Sequence, residues 1–205
     1  NYTTLEFIGT EKSIAENLTV GVLTTGADIA IKSGAVATVD SLVIAEGGSS
    51  LIRIGSGATL NVTLNGNAAL QPTINNSGIL VVSSVGEYTF GSDFINDGEL
   101  RVTGNSTVTL NGIQSSRGQA SYVVDAGSTL RMANLGKATE SMTVSGITNH
   151  GDLELINSYI TVSGDVVDSA NGTITLTDKS ALTLNGANTV LNGIFDLGKD
   201  TTLNV

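Results

Sequence analysis

Apolar and polar residues alternate along this chain in short runs. In "ILVV" (79–82), "ELRV" (99–102), "DLEL" (152–155) and "TITL" (173–176), every second residue is apolar. A period of two is that of a strand with one face buried. The apolar runs are too short for helices of ordinary length, and Gly, Asn, Asp and Ser stand between them. The pattern predicts an all-β chain whose inward positions include Leu80/Val82, Leu100/Val102, Leu153/Leu155, Ile174/Leu176 and Phe195/Leu197.

The runs recur at a fixed spacing. "NNSGILVV", "INDGELRV", "TNHGDLEL" and "SANGTITL" align on Gly78, Gly98, Gly151 and Gly172, at intervals of 20, 53 and 21. A second series, "STVTLNG", "STLRMAN", "SYITVSG", "SALTLNG" and "TTLNV", places Val108, Leu130, Ile160, Leu182 and Leu203 at intervals of 22, 30, 22 and 21. An insertion of several residues precedes "SMTVSGITNHG". The first quarter keeps the rhythm at half a period in "IAIK", "LVIA", "IRIG" and "LNVT". Two or three strands per repeat of about 20–22 residues define a parallel β-helix, a β-solenoid, with residues 1–205 as one domain. Roughly ten coils at about 4.8 Å each make a rod of about 45–50 Å. A sandwich or barrel gives no reason for the same Asn and Gly to return at each period, and the leucine-rich consensus is missing. Asn76, Asn96 and Asn149, each two residues before a repeat glycine, suit turns that stack amide on amide.

Composition narrows the function classes. The net charge is −10, and the nine Lys and Arg are scattered, which argues against nucleic acid and anionic membrane as partners. No Cys is present, so disulfides and thiolate metal sites are excluded. No apolar run has the length of a membrane span. The chain starts at Asn1 and stops at Val205 in mid-pattern, which reads as a piece of a longer protein.

Candidate chemistry is thin. The sole histidine, His150, stands with Asp152 and Glu154 in "ITNHGDLELI". The repeat puts it at the turn position held elsewhere by Ser77, Asp97 and Asn171, so it reads as scaffold. A serine-type hydrolase would need that histidine and a GxSxG or similar motif, which is absent. Glu154 and Asp196 hold equivalent outward positions two coils apart, but no cation or aromatic platform accompanies them as in carbohydrate-cleaving enzymes. Asp93, Asp97 and Glu99 match neither an EF-hand nor a calcium roll. The expectation is no catalytic residue, no metal and no cofactor. An outward column of Thr109, Arg131, Thr161, Thr183 and Asn204, flanked by Thr107, Thr129, Tyr159, Ala181 and Thr202, is too irregular for an ice-binding face.

The "NNSGILVV"-type segment followed by a "SALTLNG"-type segment resembles the β-helical passenger regions of autotransporters of Gram-negative bacteria, nearest the adhesin and self-association type. The likeness covers most of the chain, chiefly 55–205. It implies export to the cell surface or medium, with a translocator barrel elsewhere in the full-length chain and no direct membrane insertion by this segment. It also implies attachment to a second copy of the protein or to a host surface protein or glycan. The surface residues expected to serve are Arg101, Arg131, Asp152, Glu154, Asp196, Thr109, Thr161 and Thr183. Arg101 or Arg131 would meet Asp152, Glu154 or Asp196 of another rod. The rival readings are a passive spacer that holds another domain, and an enzyme acting on polysaccharide.

Overall fold

A computed structural model describes residues 3–8, 12–15, 18–20, 27–44, 51–65, 73–91, 94–112 and 118–205. It is an all-β parallel solenoid. Where one face of a strand must be dry and each strand's backbone must be paired, stacking successive turns of one chain satisfies both demands at once.

Four sheets run up the rod. An early sheet holds Thr3–Phe7, Ala27–Ile31, Leu51–Ile54, Thr73–Asn76 and Phe94–Asn96. A long sheet carries nine strands in succession from Lys12–Ala15 to Thr189–Leu191, with Leu18–Val20 as a tenth beside Val36–Ile44. A middle sheet of six begins at Glu87–Phe90 and ends at Ile194–Leu197. A late sheet of four comprises Met142–Val144, Tyr159–Val162, Ala181–Leu184 and Thr202–Asn204. The early sheet precedes the long sheet in the lower coils. From Ser121 upward each coil runs long, middle, late, and is three-sided.

The pairing is parallel and in register: Leu80 lies beside Leu100, Leu153 beside Ile174, Ile160 beside Leu182. The coil length varies more than 20–22 residues, because Ser121 pairs with Gly146 and Ile147 with Val166, steps of 25 and 19. Nine successive strands on the long sheet also make ten coils an overcount. The half-period strands of the first quarter alternate between the early and long sheets, as Ala27–Ile31, Val36–Ile44, Leu51–Ile54 and Thr59–Asn65.

The inward ladders are dry. Leu80, Val82, Leu100, Val102, Leu153, Leu155, Ile174 and Leu176 are fully buried, each contributing about 1.5–3 kcal/mol of burial. Phe90 stacks on Phe94 at 4.7 Å within the same core. The expectation fails at the last coil: Phe195 is only partly covered and Leu197 is 47% exposed. A ladder residue is buried by the coils on both sides, and no described coil lies above these two.

The two sequence series each straddle two sheets. Gly78 and Gly98 open long-sheet strands, whereas Gly151 and Gly172 open middle-sheet strands. Val108 and Leu130 belong to the middle sheet; Ile160, Leu182 and Leu203 belong to the late sheet. Every corner faces the same problem, an exit from one sheet and entry to the next, and solves it with the same residues.

Candidate functional site

The candidate residues fall on three faces. Arg101 is on the long sheet, where its Nε lies 3.5 Å from Asp125 Oδ1. Thr109, Arg131, Glu154 and, beyond Thr175, Asp196 form one outward column of the middle sheet, with Asp152 in the column beside it. Thr161 and Thr183 lie on the late sheet. The expected single column from Thr109 to Asn204 is therefore two columns on two sheets, and the flanking column divides the same way. The 134–141 insertion leads into the first late-sheet strand; the coils of residues 73–111 already have three strands, on the early, long and middle sheets.

On the middle sheet the polar groups satisfy one another. Arg131 donates from Nε to Glu154 Oε2 at 2.6 Å and from Nη1 to Glu87 Oε1 at 2.7 Å. The hydrogen bond to Glu154 holds the guanidinium pKa above its ordinary value, against the opposing effect of burial. Thr109, expected to be exposed, is buried, and its hydroxyl donates to the same Glu87 oxygen at 2.9 Å. Arg131 thus links Glu87, two coils below, to Glu154, one coil above, in a network that with Thr109 spans four coils. Asp152 and Asp196 stay exposed on this face.

The late sheet is different. Its outward side chains form two uncharged columns, Thr143–Thr161–Thr183–Asn204 and Tyr159–Ala181–Thr202. A groove of about 330 Å³ runs over them. One wall is built by the insertion. Leu135 is fully buried and fixes its start, accepting from the Tyr159 amide at 2.8 Å. Lys137 and Glu140 then exchange backbone hydrogen bonds at 2.8 and 3.0 Å, so Ala138 and Thr139 form the tip of a tight projecting turn. Ser141 Oγ lies 2.7 Å from Thr161 Oγ1, and Asn204 Nδ2 donates to Thr183 Oγ1 at 3.1 Å. Ala181 puts a methyl where neighbouring rungs carry Tyr159 and Thr202, leaving the floor open between them. Lys137 lines the groove, and Lys179 and Lys199 precede the Ala181 and Thr202 rungs; these three are the only lysines or arginines after Arg131. Each has an acid close by in sequence: Glu140, Asp178 and Asp200. Asp178, Lys179 and Asp200 have positive φ there, at 52°, 67° and 61°.

A second depression, about 450 Å³, lies on the long sheet over Ser121, Gly146 and Thr148, with Glu99 and Asp165 at its sides. Asp165 there accepts from Asn188 Nδ2 at 3.0 Å. His150 sits at a corner, its amide donating to Val124 O at 2.8 Å as those of Ser77 and Asp97 donate to Ile54 O and Asn76 O. Asn171 is not its equivalent: Ser169 makes that contact, to Asn149 O, because the corner there is longer. Among the described residues no three His, Asp or Glu side chains converge to hold a metal ion. Asp93 lies outside the described residues.

Comparison with protein-family models, curated proteins and solved structures finds no match. The class of molecule defined here is a β-solenoid rod with depressions on its late and long sheets. Lys137 and Ser141, which help build the groove, escaped the sequence reading. The readable signal was the interval of 30 between Leu130 and Ile160 where 22 is usual, which marks the insertion.

Proposed function

We propose that the chain is an adhesive rod displayed outside a bacterial cell, and that it attaches to a partner surface through the late-sheet groove. The observation that carries this reading is the 134–141 insertion. In solenoid proteins, departures from the repeat gather on the binding face, because the repeat itself only builds core. Here the departure is an ordered turn that walls a groove lined by hydroxyls, one tyrosine and Lys137. The resemblance to bacterial surface adhesins points the same way. Contact through such a face relies on several weak polar contacts, and strength comes from many rods acting together.

The spacer reading draws on a specific observation as well. Arg131, Glu87 and Glu154 are consumed within the chain, as is Arg101 with Asp125, so these groups serve the rod itself.

Beads coated with the protein test the proposal, scored for clumping with one another and for retention on cell layers, across ionic strength. Adhesion in either assay that Ala181→Arg abolishes supports attachment through the groove. No adhesion in either assay leaves a spacer. Adhesion unchanged by Ala181→Arg places attachment on another face and overturns the role of the groove.

A further inference from the structure

We propose that the groove's ligand is a neutral oligosaccharide laid along the rod axis, an inference that rests on reading the groove as the attachment face.

The lining sets the chemistry. Thr161, Thr183, Thr202 and Asn204 present groups that both donate and accept, as a chain of sugar hydroxyls requires. They repeat at the strand spacing, about 4.8 Å, close to the length of one sugar ring, so successive sugars meet equivalent rungs. Tyr159, half-buried, offers an aromatic face beside the methyl of Ala181. Alternating apolar and hydroxyl patches match the two kinds of surface on a pyranose. A peptide strand would instead need an unpaired sheet edge, whereas this floor is the side-chain face of a sheet already paired from Met142–Val144 to Thr202–Asn204.

Charge decides between neutral and acidic sugars. Both outward columns of the late sheet are uncharged. Lys137 is the one charged side chain lining the groove, Lys179 and Lys199 stand outside the lining, each lysine has an acid close in sequence, and the chain as a whole carries −10. An acidic glycan would approach against the long-range field and gain little net charge at the edge. A neutral one loses nothing.

The test is titration of the whole chain with neutral gluco-, manno- and N-acetylglucosamine oligosaccharides, and with a sulfated oligosaccharide, by calorimetry and tyrosine emission. The chain has no Trp, and among the described residues Tyr159 is the only Tyr lining the groove, so an emission change on binding that Tyr159→Ala removes reports the site. At least one neutral sugar is expected to bind saturably, with affinity little changed between low and high salt. Tyr159→Ala and Ala181→Arg should each weaken it about tenfold or more, and Thr183→Val severalfold, with melting curves unchanged. Binding only to the sulfated sugar, fading with salt, overturns the inference. So does neutral-sugar binding that Ala181→Arg leaves intact. Bead adhesion that Ala181→Arg abolishes while no sugar binds overturns the sugar and spares the groove; adhesion indifferent to that substitution with no sugar bound removes both.

Discussion

Asn149 donates its side-chain amide to Asp168 Oδ1 at 2.8 Å, one coil apart, and both side chains are fully buried. The other carboxylate oxygen accepts from the Gly193 amide at 3.1 Å. Lower in the rod Asn76 donates in the same way to Asn96, at 2.8 Å, so Asp168 is a carboxylate set into an amide ladder. Its two oxygens bridge three coils.

Removing Asp168 takes an acceptor from the buried Asn149 amide, which keeps Thr173 O at 3.1 Å, and leaves the partly buried Gly193 amide without its carboxylate. Asp168→Ala should cost about 2–3 kcal/mol, since hydrogen bonds to a charged group are involved and a cavity is left. Asp168→Asn keeps one acceptor and should cost about half as much. Urea midpoints at constant m-value measure both. A neutral Asp168→Ala refutes the bridging role.

Tyr122 gives a pH signature. Burial pushes its phenol up to about 12, and its hydroxyl makes no well-formed hydrogen bond, the Asn96 side chain being its polar neighbour. An unfolded tyrosine ionises near 10. Between the two values the unfolded chain loses the proton first, so the contribution to stability is intact below about pH 10 and is lost as pH rises towards about 12. The slope reaches about 1.4 kcal/mol per pH unit. Tyr122→Phe should remove that slope from denaturation midpoints taken between pH 8 and 12, and should leave neutral-pH stability unchanged or higher. A drop at neutral pH would show that the hydroxyl is satisfied after all.

How much of this was legible follows from what repeats. The strands, the inward ladders from Leu80 to Leu176 and the turn role of His150 come directly from period two and the return of Asn and Gly. Which sheet a strand joins does not. Ser106 and Ser128 open middle-sheet strands, Ser158 and Ser180 open late-sheet strands, and all four are buried, so one local motif serves two corners. Asp168 was missed because its corner is longer, shifting the residue two places before Gly172 to Ala170. Arg131 and Glu154 were read as available to a partner because strand pairing across coils, which sets Arg131 beside Glu154, depends on coil length. The groove needed the late sheet before it could be seen.

The Arg131 network should behave as a partly exposed one. Arg131→Met keeps the packed stem and removes the charge, leaving Glu87 and Glu154 without it. The loss should be about 1 kcal/mol at low salt, because Arg131 is 27% and Glu87 53% exposed, and it should shrink by more than half in about 1 M salt. Thermal midpoints of both proteins at the two salt levels check this. A loss independent of salt would make the stem, and not the charge, responsible.

Two glycines separate crowding from backbone conformation. Gly186 has an ordinary φ, but a Cβ there would stand 1.7 Å from Gly164 O, on the backbone of the coil below. Gly34 has open space around it and a φ of 76°. Gly186→Ala must therefore push two coils apart at a corner where neither can yield alone, and should cost more than about 3 kcal/mol. Gly34→Ala meets only the left-handed penalty of about 1–2 kcal/mol. Proteolysis should follow the same order, with Gly186→Ala releasing the last coil, from about Gly186 onward, while the lower rod stays protected. Uniform loss of protection along the rod would instead mean that the coils melt as one unit, and equal costs for the two substitutions would mean that the corner relaxes around an added methyl.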